Sequence, residues 1–217
     1  MPAKKSPKTG RIHSLWPAAY TRVASIIAAS FIFSVATAGA GEPNLTLRIS
    51  NDTENTIEHL FVRQSGNRLF GGDTLSVAGE LDPDDSVSVG LESSFTESLY
   101  EVKAIDSDST VYRVDTIRVG SGADSNTATI SPEQATGAEA PELGSATVFA
   151  SMETDVFYVY LERIDTQDLG ANLTGGTMIP EDGAEEIRYI ASEAEQLGSF
   201  IIVDSIGATM RVDGPGD

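Results

Sequence analysis

Between residues 41 and 217 the chain holds one imidazole, His59, and no cysteine at all. A lone histidine does general-base chemistry only when folding brings it a nucleophile and an orienting carboxylate. The neighbouring Glu58 points to the opposite face of a strand, and no Gly-x-Ser-x-Gly elbow is present. A hydrolase centred on His59 therefore rests on a single side chain, and the plainer reading is a half-exposed strand histidine. No residue is assigned a catalytic role. Without thiols and with one histidine, zinc and haem sites lack their ligands. Calcium needs only oxygens, and Asp106-x-Asp108-x-Thr110 alternates them along the chain, as does Asp82-x-Asp84-Asp85. Asp106 and Asp108 are the calcium candidates. Neither run has the sixth-position Gly and twelfth-position Glu of an EF-hand loop. The plainer reading is a turn built of Asp and Ser.

Two further patterns carry chemistry. Arg113/Asp115 and Arg211/Asp213 each sit two residues apart, on one strand face. They read as an anion-recognising arginine used twice, or as an arginine held by nearby acids such as Asp106 and Asp204. The acid content favours the second. Paired carboxylates for glycoside hydrolysis cannot be singled out among so many acids. The one tryptophan, Trp16, lies far upstream, so the body has no indole for stacking on a sugar. Tyr158 and Tyr160 share a strand face and read as core beside Val156.

These residues sit on strands. Leu45, Leu47 and Ile49 alternate with polar residues, and Val87, Val89 and Leu91 do the same. Thr56–Arg63, Tyr100–Ala104, Val111–Val114 and Thr127–Ile130 are further strand signals, with turns at Asn51-Asp52, Ser65-Gly66-Asn67 and Asp82–Asp85. The expected fold is all-β. It comprises two tandem small antiparallel β-sandwich units, immunoglobulin-like or similar, behind an N-terminal signal helix.

The tandem reading comes from an internal match. Residues 105–115 align without a gap on 203–213, with Asp, Ser, Arg, Val and Asp identical at an offset of 98. Leu75 and Leu173 fall at the same offset, and Pro83-Asp84-Asp85 matches Pro180-Glu181-Asp182 one residue out of register. The expected organisation is a signal peptide at 1–40, a first β-sandwich at 41–130, a flexible linker at 131–144 and a second β-sandwich at 145–217. Pro132, Gly137 and Pro141 mark the linker. The second unit stops short of the strands that follow Asp115 in the first. Its sheet is expected to keep an open edge, or to borrow a linker segment, and an open edge pairs with other chains.

Asn51-Asp52-Thr53, Gly72-Asp73-Thr74-Leu75, Leu81-Asp82-Pro83, Tyr100-Glu101 and Asp106–Asp115 together resemble a pattern in small exported proteobacterial β-sandwich domains of hypothetical proteins. The likeness covers about residues 45–130, and the chain lacks the Trp and Cys of some members. It implies a β-sandwich outside the cytoplasm and brings no catalytic residues.

The compartment follows from a division of charge. Residues 1–40 hold five of the 14 cations and none of the 33 acids, which leaves nine cations against 33 acids, net −24, in residues 41–217. Val23–Ala40 is uncharged and ends Ala38-Gly39-Ala40, the small residues signal peptidase needs, so cleavage is expected before Gly41. The alternative is an uncleaved anchor of 18 residues, the one route by which this chain would stay on a membrane. A periplasmic or secreted location follows in either case. The acidic body repels nucleic acid and anionic lipid. What remains is an exported, non-catalytic interaction or structural protein. Its partner would be another envelope or extracellular protein, it needs no cofactor unless calcium binds, and a calcium module or a His59 hydrolase is the alternative.

Overall fold

The computed structural model describes residues 45–92, 97–120, 126–150, 154–164 and 169–216. The expected signal, with Ala38 and Ala40, lies outside the described residues. The described residues form an all-β fold, its mainly antiparallel sheets packed as sandwiches. The first half contributes β1 (Leu45–Asn51), β2 (Ile57–Gln64), β3 (Ser86–Leu91), β4 (Glu97–Asp106), β5 (Val111–Gly120) and β6 (Thr127–Ile130). The second contributes β7 (Leu143–Phe149), β8 (Val156–Arg163), β9 (Ala184–Ile190), β10 (Leu197–Asp204) and β11 (Thr209–Val212).

In the first half a β3-β1-β6 sheet faces a β2-β4-β5 sheet. The alternation read from β1 puts Leu47 and Ile49 inward, fully buried, while Thr46 and Arg48 face solvent. They meet Leu60, Val62, Val102 and Val119 from the other sheet, with Ala128 and Ile130 of β6 closing the side. β6 runs parallel to β1, Arg48 opposite Thr127 and Asn51 opposite Ile130. In the second half a two-stranded β7-β9 sheet faces β8-β10-β11 around Val148, Val159, Leu161, Ile187, Phe200 and Ile202. Among the described residues β7 has one strand partner, β9. Tyr158 and Tyr160 turn away from this core, onto the other face of β8. There they stack at 6.4 Å and pack with Ile201 and Val203.

The two halves are laced together. After β2 the chain passes through Gly72-Asp73 and pairs with β9: the Asp73 amide donates to the Arg188 carbonyl at 2.7 Å. After β8 the chain passes through Ala171-Asn172 and pairs with β3: the Asn172 amide donates to the Gly90 carbonyl at 2.8 Å. Side chains cross as well. Leu69 and Val77 pack into the second core, and Ala171 packs into the first. The crossing is tight at Gly175, whose φ is +58° and where a Cβ would stand 2.7 Å from both the Thr74 carbonyl oxygen and the Ala78 methyl. The stretch read as a linker lies along the first half. Pro132–Gln134 forms a 3-10 turn, the Thr136 amide donates to the Val111 carbonyl at 2.8 Å, and Ala140 and Leu143 pack on Phe61, Phe70 and Ile105. No helix among the described residues is long and apolar enough to cross a membrane.

Candidate functional site

His59 has an acidic partner, and it is not Glu58. Its Nδ1 lies 2.8 Å from Oδ2 of Asp73, a carboxylate with no solvent exposure. The other oxygen, Oδ1, accepts the amides of Leu60 at 2.9 Å and Leu75 at 3.0 Å. Asp73 therefore pins the strand-to-loop crossing, and His59 covers its remaining oxygen. The second half makes the same joint without charge. Asn172 Oδ1 accepts the amides of Val159 at 3.0 Å and Thr174 at 3.2 Å, while its Nδ2 donates to Thr174 Oγ1 at 2.9 Å. Leu60 matches Val159, and Asp73 matches Asn172, at an offset of 99 rather than 98. The sequence register of Leu75 on Leu173 is one residue out, and that slip hides the Asp73–Asn172 match. Among the described residues no serine or threonine hydroxyl is hydrogen-bonded to His59, so no described nucleophile completes a triad with the pair.

The calcium candidates are employed elsewhere. Asp106 is 1% exposed. Its Oδ1 accepts the amides of Asp108 at 3.0 Å and Thr110 at 2.7 Å. Its Oδ2 accepts from Asn55 at 2.9 Å and from the Tyr112 hydroxyl at 2.8 Å. Burial pushes this carboxyl up, but the bonds from Asn55, Thr110, Tyr112 and Asp108 together hold it below the ordinary range. A cation would have to displace four donors. Asp108 is exposed and accepts from Asn55 at 3.1 Å. Asp204 closes the matching turn: its Oδ1 accepts the amides of Ile206 at 3.0 Å and Ala208 at 2.7 Å, and its Oδ2 accepts from Thr154. Of the other acidic run, Asp82 accepts from Thr56 at 3.0 Å, and Asp84 turns the chain at φ +67°. Among the described residues no three metal-binding side chains converge.

The repeated arginines bind acids, though not Asp106 and Asp204. Arg113 reaches Asp115 at 2.6 Å and Glu101 at 2.9 Å. Arg63 holds the same Glu101 oxygen at 2.6 Å. Arg211 bonds Glu162 and Ser199. The Arg63–Glu101–Arg113 row lies on the outer face of β2, β4 and β5, where Phe70 receives Arg63 at 4.1 Å and Lys103 at 4.3 Å from its ring centre. Beside it, Glu193 Oε2 accepts the amides of Phe70 at 2.9 Å and Gly71 at 3.1 Å, clasping the two halves. Burial raises the Glu193 carboxyl and lowers the Lys103 ammonium. Of these groups Glu193 bridges the two halves, through the amides of Phe70 and Gly71. The hollow bordered by Gln64, Ser65, Glu97, Ser98 and Arg118 is shallow, and Arg118 pairs with Glu97 across it at 2.7 Å. No family model matches the chain, and neither does any curated protein or any solved structure.

Proposed function

We propose that this chain is an exported, non-catalytic interaction or structural protein, two β-sandwich halves descended from one unit and delivered by residues 1–40. One observation supports it above the rest. The buried polar side chains that look most like chemistry, Asp73 and Asp106, grip main-chain amides, and Asn172 and Asp204 repeat those grips in the other half. A side chain needed twice for the same loop is explained by folding, and no activity has to be invoked. The net charge of −24 over residues 41–217 supports a role in an aqueous compartment, away from nucleic acid and anionic membranes. The partner would be another envelope or extracellular protein.

A second reading, a hydrolase using His59, is favoured by the 2.8 Å contact with Asp73, though no hydroxyl among the described residues bonds His59. Expression of the full chain in a Gram-negative host, followed by fractionation and intact-mass measurement, tests export. The expected product begins at Gly41 in the periplasm or medium. A cytoplasmic product with residues 1–40 intact refutes it. A His59→Ala variant that loses a hydrolytic activity present in the parent would move the reading to an enzyme.

A further inference from the structure

We propose that the outer edge of β7 takes up an extended segment of another protein, which joins parallel to β7 as β6 joins β1. The interaction reading above is the premise, and this edge is its surface.

The first half supplies the template. On β1, one set of main-chain groups faces β3, shown by the Asn51 amide on the Asp85 carbonyl. The alternate set faces β6: the Arg48 amide donates to the Asn126 carbonyl at 2.8 Å, and the Asp52 amide to the Ile130 carbonyl at 2.8 Å. On β7 the Ala150 amide donates to the Gly183 carbonyl and the Glu142 carbonyl accepts from Ala191. By the alternation of an antiparallel ladder, Gly144, Ala146 and Val148 then face β9. Ser145, Thr147 and Phe149 turn their main-chain groups outward, where Thr46, Arg48 and Ser50 meet β6 in the other half. No described residue hydrogen-bonds that side of β7.

Nothing in β7 protects the edge. Leu143–Phe149 has no charge and no proline, the usual guards of an open strand, and Phe149 is 58% exposed. The core beside it is short of wall. The first half buries Ile117, Val119, Ala128 and Ile130 there, and the described second half has no strand in that position.

The template also specifies the occupant. β6 reads Thr-Ala-Thr-Ile, with Ala128 and Ile130 buried between the sheets and the two threonines outward. A segment opposite Thr147–Ala150 would place a small and then an aliphatic side chain inward at alternate positions. Glu142, Glu185 and Glu186 flank β7, so cationic neighbours on the segment are favoured. The same acidity sets two copies of this chain against each other, which makes β7-to-β7 pairing the weaker choice.

A fluorescein-labelled peptide, Lys-Asn-Thr-Ala-Thr-Ile-Ser-Lys, titrated into the full chain at low salt and followed by anisotropy, tests the edge. In the parallel ladder the amides of Ala128 and Ile130 face β1 and those of the threonines face away. N-methylation at the isoleucine amide is therefore expected to weaken binding at least about tenfold, and at the second threonine amide to leave it unchanged. The protein itself is unaltered, so no folding defect confuses the result. Absence of saturable binding up to about 1 mM, or equal loss for both methylated peptides, overturns the proposal. So does a sedimenting dimer that the peptide competes apart, which would assign the edge to a second copy. Failure here leaves the export result standing, and failure of export leaves this one standing.

Discussion

Replacing Asp73 separates its oxygen from its charge. In Asp73→Ala the buried amides of Leu60 and Leu75 lose their acceptor together. Each such orphan costs about 1–3 kcal/mol, so the loss is about 2–6 kcal/mol in a protein whose total stability is about 5–15 kcal/mol. In Asp73→Asn the Oδ1 atom still serves both amides. The new Nδ2 meets His59 Nδ1, which accepts when the neutral ring carries its proton on Nε2. The expected cost is below about 1 kcal/mol, because Asn172 already performs this task in the other half. Urea unfolding followed by far-ultraviolet circular dichroism resolves the two. With a slope of about 2 kcal/mol per molar urea, Asp73→Ala moves the midpoint down by about 1–3 M and Asp73→Asn by under about 0.5 M. Equal damage from both would refute the reasoning. The negative charge would then matter, and the His59–Asp73 contact would be a charged pair of another purpose.

Gly175→Ala should cost at least about 3 kcal/mol, through its left-handed φ and its clash with the Thr74 carbonyl. Gly66→Ala, also at positive φ but with open space around it, should cost about 1–2 kcal/mol, so the difference in thermal midpoint isolates the crossing. The Asp106 carboxyl titrates lower in the fold than in the unfolded chain, so its contribution is full above pH about 4 and drains as pH falls through the folded value. Asp106→Asn should be less stable at pH 7 yet lose less of what remains on acidification, measured by urea midpoints across pH 2–7. Thr116 sits at φ +62°, where β5 bulges opposite Glu101, a costly conformation for a β-branched residue. Thr116→Asn should raise the thermal midpoint by a few degrees, corresponding to about 0.5–1 kcal/mol.

β1 and β3 were legible because one face of each meets solvent, and burial then prints itself as alternation. β9 was not. Its residues include Glu185, Glu186 and Arg188, and its buried positions reduce to Ile187 and Ile190. It is a strand because β7 and the Gly72-Asp73 crossing pair with it, and that cause is distant in sequence. The stretch at 131–144 looked like a spacer by its Gly and Pro, which describe local stiffness only. Its contacts with the first half come from Thr136, Ala140 and Leu143, ordinary residues in any loop. Of the site, Asp106 was legible as a turn residue. The His59–Asp73 contact was not, because 14 residues and a strand-to-loop crossing separate the pair. The signal that could have found it is the second half: an offset of 99 sets Asn172 under Asp73 and Tyr158 under His59.

The exchanged crossings impose an order on assembly. Ala171 completes the first core and Asn172 binds β3, so a chain emerging N-terminus first holds an unfinished half until some eighty residues beyond Gly90 have followed. Local closure is thus postponed until late in the synthesis of the chain. Once the last loop locks, neither half can loosen alone without stripping its neighbour of a strand contact.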